Sequence, residues 1–280
     1  MSNTSAEPGV GGTPLERAHA HNDCNHDRPL LDALSFGFTS VEADIHLRDG
    51  RLYVAHDARD LRPGRTLSRL YLDPLNARVT QVGGSVFRYG TPFTLWIDVK
   101  TEAEETYRVL RSVLERYQDI LTVYNEDGVR PGAVTAIISG NRSRAILEAE
   151  SIRYASYDGR LDDLGSTAPP SLMPFISDQW TKHFGWTGRG AMPKVEREKL
   201  RAIVEAAHGE GRRVRFWATP DRPNARREAI WRALADADVD LISSGDLQDL
   251  WLFLGQRDPV SAPGPTGRAA PGFRGGAGSS

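Results

Sequence analysis

Glu42 and Asp44 interrupt an otherwise apolar run, V-E-A-D-I-H-L at 41–47. Positions two apart in a strand point to the same side. The pair therefore aims two carboxylates at one place, while Val41, Ala43 and Ile45 face the other way. Burying two ionised carboxylates together costs several kcal/mol each unless a cation sits between them. A divalent metal answers that need, and hard oxygen ligands point to Mg2+ or Ca2+ rather than Zn2+. F-T-L-W-I-D-V-K-T at 93–101 repeats the pattern: Asp98 and Lys100 share a face at the end of an apolar run. Asp98 completes a candidate three-carboxylate site for one divalent cation. Lys100 then offsets the remaining negative charge or holds an anionic substrate.

Two histidine motifs converge on these acids. A-H-A-H-N-D-C at 18–24 places His19 and His21 on one face of a strand end, and V-A-H-D at 54–57 brings His56 and Asp57 back along a short return. Two imidazoles beside a metal and a lysine suit acid–base work on a phosphodiester: one takes a proton from the nucleophile, the other gives one to the leaving oxygen. His19, His21 and His56 are the candidates for that pair, with Lys100 beside them as a third charged group. His19, Asn22 and Trp217 are the expected substrate contacts. His46 shares the face of the acids further out. Asn141, Arg142, Asp158, Asp178, Trp180, Ser243 and Asp246 stand at later strand ends and are further candidates to line a pocket. His26, His183 and His208 read as structural or solvated.

The elements that must position these groups alternate. Strand-like runs at 16–20, 40–45, 93–99, 133–138, 152–156, 172–176, 213–218 and 239–243 are separated for the most part by helical patterns, among them P-L-L-D-A-L-S-F-G and the amphipathic E-A-E-E-T-Y-R-V-L-R-S-V-L-E-R-Y-Q-D-I-L at 102–121. N-R-S-R-A-I-L-E-A-E, V-E-R-E-K-L-R-A-I-V-E-A-A-H-G-E-G and N-A-R-R-E-A-I-W-R-A-L-A-D-A-D continue the helical series. Eight strands alternating with helices predict a (β/α)8 TIM barrel of the α/β class. In such a barrel the active site lies at the C-terminal strand ends. R-D-G at 48–50 is a turn signal, so residues 51–55 are expected to form an extra hairpin strand after the second barrel strand. No helix is expected across 157–171. A doubly wound sheet is the competing architecture, but no G-x-G-x-x-G follows the first strand.

The barrel is expected over 15–257, between Gly/Pro/Ser-rich ends at 1–14 and 258–280 that bury too little apolar surface to order themselves. A net charge of −2 gives no reason to expect nucleic acid as the partner. Cys24 is the one cysteine, so no intrachain disulfide forms. The first residues lack a basic segment followed by an apolar run, so the cytoplasm is the expected location, and no stretch approaches the ~18 apolar residues of a transmembrane span.

H-N-D at 21–23, V-E-A-D at 41–44 and V-A-H-D at 54–57 together resemble the phosphatidylinositol-specific phospholipase C-like phosphodiesterases, which include the glycerophosphodiester phosphodiesterases. D-V-K-T at 98–101 is similar to the D-L-K-T strand end of the sphingomyelinase D branch. F-W-A-T-P-D (216–221) and L-I-S-S-G-D-L (241–247) look like the superfamily's last two strands. The opening H-N-D, the P-L-L-D-A-L helix and the V-E-A-D-I-H-L strand resemble most a subgroup related to altered-inheritance-of-mitochondria protein 6. The resemblance implies a TIM barrel that binds one metal ion through Glu42, Asp44 and Asp98. It implies His21 and His56 as the catalytic pair, Lys100 on phosphate, and a small-molecule or lipid phosphodiester as substrate. The first motif departs from the H-R-G and P-E-N-T of glycerophosphodiesterases, and the venom branch's disulfides have no counterpart, so the alcohol stays open. Two other readings fit some residues. H-A-H at a first strand end is how amidohydrolases bind Zn2+, although no histidine stands between His56 and His183. A barrel that binds a phosphate or lipid headgroup without turnover is the non-enzymatic reading.

Overall fold

The computed structural model describes residues 13–88 and 90–257. Its strands are β1 (Leu15–Ala20), β2 (Phe38–Arg48), β3 (Arg51–Val54), β4 (Phe93–Val99), β5 (Val123–Asn125), β6 (Gly128–Arg130), β7 (Val134–Gly140), β8 (Ser156–Gly159), β9 (Phe175–Gln179), β10 (Arg213–Trp217) and β11 (Ile242–Ser244). The helices are α1 (Leu31–Ser35), α2 (Asp73–Val82), α3 (Ala103–Glu115), α4 (Arg144–Ala149), α5 (Trp180–His183), α6 (Lys194–Gly209), α7 (Ala225–Asp236) and α8 (Leu247–Arg257). Eight strands run parallel in the order β10-β9-β8-β7-β4-β2-β1-β11. The two ends of this sheet meet through a single parallel bridge between Arg215 and Leu241, which nearly closes the barrel.

Two-residue periodicity divides the strands as the barrel requires. On β4, Phe93, Leu95, Ile97 and Val99 enter the large apolar cluster between sheet and helices, while Trp96 packs with Ile137, Phe175 and Leu241 inside the barrel. Asp98 lies two residues beyond Trp96 on that inner face. On β2, Val41, Ala43 and Ile45 join the outer cluster, leaving Glu42 and Asp44 to point inward. Trp96 thus floors a polar chamber at the C-terminal ends of the strands.

The extra hairpin forms as its turn chemistry demands. Asp49 and Gly50 take positive φ of 49° and 69°, which a two-residue turn matched to strand twist requires. β3 returns antiparallel with Ile45 opposite Val54, and the Ala55 N–H donates to the Asp44 carbonyl at 3.2 Å. His56 is thereby carried back to Asp44.

Several boundaries differ from the sequence reading, among them β2, which runs on to Arg48, and β11, which begins at Ile242. β8 and β9 begin at 156 and 175, later than the apolar runs that announced them. Tyr154, Ala155, Leu172 and Met173 are buried core before the strands start, and the strands continue through the polar Asp158 and Asp178. α3 is capped by the Glu102 carboxylate, which accepts from the Glu104 and Glu105 N–H groups, but it ends at Glu115. The chain then turns so that the Ile120 carbonyl and Thr122 N–H can pair with Val134 on β7. α2 and the β5–β6 hairpin carried no periodic signal. The 157–171 connection has one short 3-10 turn, Leu161–Asp163. The low-complexity ends lie outside the described residues apart from Thr13 and Pro14. Among the described residues no helix is long and apolar enough to cross a membrane.

Candidate active site

Parallel pairing sets Asp44 on β2 directly beside Asp98 on β4. With Glu42 one pleat below, the three side chains each offer a carboxylate oxygen, and these oxygens all lie within 4.8 Å of one another. Gly140, at the end of β7, has φ of 68° and leaves the space that Asp98 occupies. A Cβ there would stand 2.0 Å from Asp98 Oδ1.

The negative charge is answered by named cations. Arg215 on β10 is 3% exposed; its Nη1 donates to Glu42 Oε2 at 3.0 Å and to His19 Nε2 at 2.6 Å. Its guanidinium lies 4.1 Å over the Trp96 ring. Burial first, then the Arg215 charge, pulls the His19 pKa down to about 3. His19 is therefore a neutral imidazole, and its Nδ1–H donates to Ser40 Oγ at 2.8 Å. Burial alone would raise the Glu42 carboxyl. The neighbouring His19 and His21 imidazoles and the Arg215 charge outweigh it and hold Glu42 well below the usual range. Lys100 Nζ lies 2.8 Å from Asp44 Oδ1 and 3.0 Å from Asp98 Oδ2. Burial opposes its charge, but the Asp44 and Asp98 carboxylates prevail and raise its pKa. Asp98 is pushed up by burial and by Glu42, with Lys100 working against the shift. Cys24 Sγ–H donates to Asp44 Oδ2 at 3.1 Å, and burial followed by the Asp44 charge keeps this thiol protonated.

Two histidines flank the carboxylates. His21 Nε2 is 3.7 Å from Glu42 Oε1, and His56 Nδ1 is 3.7 Å from Asp44 Oδ1. Both line one cavity of about 560 Å³, together with Asn22, Glu42, Asp98, Lys100, Asn141, Arg160 and Trp217. His46, buried one pleat beyond Asp44 on β2, reaches the His56 carbonyl with Nε2 at 3.4 Å. The residues fit a hard divalent cation on two counts. The ligand atoms are carboxylate oxygens at converging positions. Asn22 Oδ1, which borders the same cavity, is buried and accepts no hydrogen bond among the described residues, an expensive arrangement that a cation relieves.

Residues 12–158 match the AIM6-like phosphodiesterase domain. The chain belongs to this family. The altered inheritance of mitochondria protein 6 homolog of Arthroderma benhamiae is 31% identical over 258 residues, covering 82% of this chain and 81% of that protein. Altered inheritance of mitochondria protein 6 of Eremothecium gossypii is 29% identical over 278 residues, covering 85% and 69%. Among solved structures, the phosphatidylinositol-specific phospholipase C from Listeria monocytogenes aligns with a TM-score of 0.48 at 7% identity, over 89% of this chain and 95% of that one. The AIM6-like match ends on β8, so it contains both histidines, the three carboxylates and Lys100.

Of the site residues expected from this AIM6-like sequence, eight gather around the chamber. His21, His56, Lys100, Asn22 and Trp217 line the cavity with Glu42 and Asp98, and Asp44 lies against them. His19 does not fill its expected role. It is wholly buried, and both ring nitrogens are taken, by Ser40 and Arg215. It braces the floor under Glu42 instead of touching a substrate. The same geometry removes the amidohydrolase reading, because H-A-H has only one imidazole free to meet a metal. Trp180 is a core residue stacked on Phe184 at 4.2 Å. Asp158 is buried between Ser139 and Ser177. Asp246 pairs with Arg227. Arg215, Arg160 and Gly140 escaped the sequence reading. Arg215 left a signal, being a cation between Val214 and Phe216 on the face of Trp217.

Proposed function

We propose that this chamber hydrolyses phosphodiesters, of glycerophosphodiester or lysophospholipid type, with one divalent cation, Mg2+ or Ca2+. The carrying observation is the placement of His21 and His56 at 3.7 Å from two different members of one carboxylate triad, on a common cavity. Glu42, Asp44 and Asp98 would hold the cation, which would supply positive charge to the phosphoryl oxygens. Charge balance supports this. Three carboxylates against Lys100 and Arg215 leave one negative charge, which would repel a phosphodiester monoanion; a divalent ion reverses the sign.

His21 takes the proton from the attacking hydroxyl, whether of water or of a neighbouring group on the substrate. A neighbouring hydroxyl gives a cyclic phosphate first. His56 gives its proton to the leaving alkoxide as the P–O bond breaks. His56 is 44% exposed, so the proton it loses is restored from solvent. Asp44 orients His56 and Glu42 orients His21. Lys100 bridges Asp44 and Asp98 and draws them together, and it shares the phosphoryl charge.

Bis(4-nitrophenyl) phosphate tests the reading. Release of nitrophenol with Mg2+ or Ca2+ and its loss with EDTA is expected. Metal-independent release, or binding of a phosphodiester with no release under any metal, would refute it.

A further inference from the structure

Arg160 follows β8 and lines the cavity three strands around the barrel from β2 and two from β4. Among the described residues every hydrogen bond it makes leaves from one nitrogen. Nη1 donates to Asp158 Oδ2 at 2.6 Å, to the Gly159 carbonyl at 3.0 Å, to Ser177 O and Oγ at 3.3 Å and to the Asp158 carbonyl at 3.4 Å. Nε and Nη2 donate to nothing among the described residues, and neither is a buried orphan. The side chain is 22% exposed. The guanidinium is therefore anchored at one corner and presents its Nε–Nη2 edge to the cavity. That edge takes a carboxylate or phosphate through two parallel hydrogen bonds, which a lysine ammonium cannot do.

The anchor does not need Arg160 for its own hydrogen bonding alone. Asp158 is wholly buried, yet it also accepts from Ser139 Oγ at 2.7 Å and from Ser177 Oγ at 2.7 and 2.8 Å. A second guanidinium, Arg142, donates to the Asp158 carbonyl and lies 4.6 Å over the Tyr157 ring. The other nearby carboxylate, Asp178, is occupied by His183 at 3.1 Å and by the Leu161 and Gln179 N–H groups. No carboxylate among the described residues accepts from the free edge.

We infer that the substrate carries a second anionic group, a carboxylate or phosphate beyond the scissile phosphodiester, and that the Nε–Nη2 edge of Arg160 binds it. This rests on the phosphodiesterase reading and makes Arg160 a specificity determinant of the same site. The two anions are held by separate strand ends, the scissile one by the histidines and Lys100, the distal one by Arg160 after β8.

Glycerophosphoserine and glycerophosphoethanolamine differ only by a carboxylate and so isolate the second anion. The wild-type chain is expected to favour the serine diester by about tenfold or more in kcat/KM, the worth of one charge-assisted hydrogen bond, chiefly through KM. Arg160→Gln should abolish the preference. Because that change uncovers buried Asp158, Arg160→Lys is the companion variant: it keeps a cation at the anchor, removes the free edge and should bring the ratio near unity. Equal kcat/KM in the wild type overturns the inference. So does a preference that survives Arg160→Lys, or an equal loss on both diesters, which would place Arg160 on the scissile phosphate. If neither diester nor bis(4-nitrophenyl) phosphate is turned over, the phosphodiesterase reading fails by itself. Calorimetric Kd values for the two diesters, on wild type and Arg160→Lys, then decide Arg160 separately: tighter serine-diester binding lost in the variant supports it, and equal binding overturns it.

Discussion

Arg215→Met is the sharpest probe of how the floor of the chamber is held. Arg215 and Glu42 are each 3% exposed and lie 3.0 Å apart. Methionine keeps much of the aliphatic volume over Trp96 but leaves Glu42 without its guanidinium. Removing one partner of a buried ion pair costs about 3–5 kcal/mol, most of it the penalty of the uncompensated charge. For a chain of this size that is a drop in Tm of roughly 6–20 °C. The loss must also depend on pH. In the wild type Glu42 is held below its ordinary value, so its ionised form adds stability above the unfolded carboxyl pKa. Without Arg215, burial drives the Glu42 pKa up, and stability is then lost as pH rises above the unfolded value. His19 acts in the same sense. Its depression to about 3 comes first from burial and then from Arg215, so the variant protonates it more readily and recovers stability at low pH. Urea unfolding in EDTA at pH 5 and pH 7 should therefore show the larger deficit at pH 7. Glu42→Gln, harmful alone, should rescue Arg215→Met by at least about 1 kcal/mol in a double-mutant cycle. A deficit under about 1 kcal/mol, a deficit larger at pH 5, or no rescue would refute the account.

Three further outcomes are expected. His56→Asn should cut phosphodiester turnover by about 10²–10⁴-fold with the urea midpoint nearly unchanged, since the ring is half exposed; near-normal turnover removes it from the mechanism. Gly140→Ala forces a Cβ to 2.0 Å from Asp98 Oδ1 and 2.5 Å from the Val99 carbonyl at positive φ, so turnover should fall as it does in Asp98→Asn. Combining the two should cost little more than either, whereas additive losses would show that Gly140 acts elsewhere. The Asp23 hydrogen bond chiefly, against burial and with the Gly245 carbonyl, raises the His26 pKa to about 9. The stability His26 adds is complete below about pH 6.5 and fades as pH rises to 9; unfolding curves of His26→Gln should lack that slope, and an unchanged slope would assign it to another group.

The carboxylate triad was legible because it obeys local rules. Glu42 and Asp44 share a face by period two, Asp98 repeats the pattern one strand later, and the Asp49–Gly50 turn returns His56 by a register that the turn dictates. These are short-range facts written in consecutive residues. The polar half of the barrel was less legible for a corresponding reason. β8 and β9 start late because Tyr154 and Leu172 belong to the outer packing layer, so the apolar runs marked the approach to the strands; Asp158 and Asp178 were read as strand ends, but not the serines and backbone N–H groups that occupy them. His19 was misplaced because two positions on one face differ in height. His21 stands at the mouth, while His19, one pleat lower, meets Ser40 and Arg215.

The two arginines show where sequence reading meets its physical limit. Arg215 and Glu42 are 173 positions apart, and nothing in either neighbourhood names the other. What could be read was a demand: a carboxylate buried at Glu42 requires a cation, and an arginine alternating with Val214 and Phe216 on the face of Trp217 requires an anion. Pairing the two demands depends on barrel closure, because β10 and β2 lie at separate places along the sheet and meet only across its interior. Arg160 lies in a connection with no period at all, and its role comes from a contrast that exists only in three dimensions. One nitrogen is saturated by the strand ends, and the opposite edge is free. Arg215 also bonds through one nitrogen, Nη1 to Glu42 and His19, and it borders the same cavity. What separates the two is burial and the carboxylate each meets: Arg215 is 3% exposed, stacked on Trp96 and paired with Glu42 of the triad, whereas the Arg160 side chain is 22% exposed and its anchor, Asp158, already accepts from two serines.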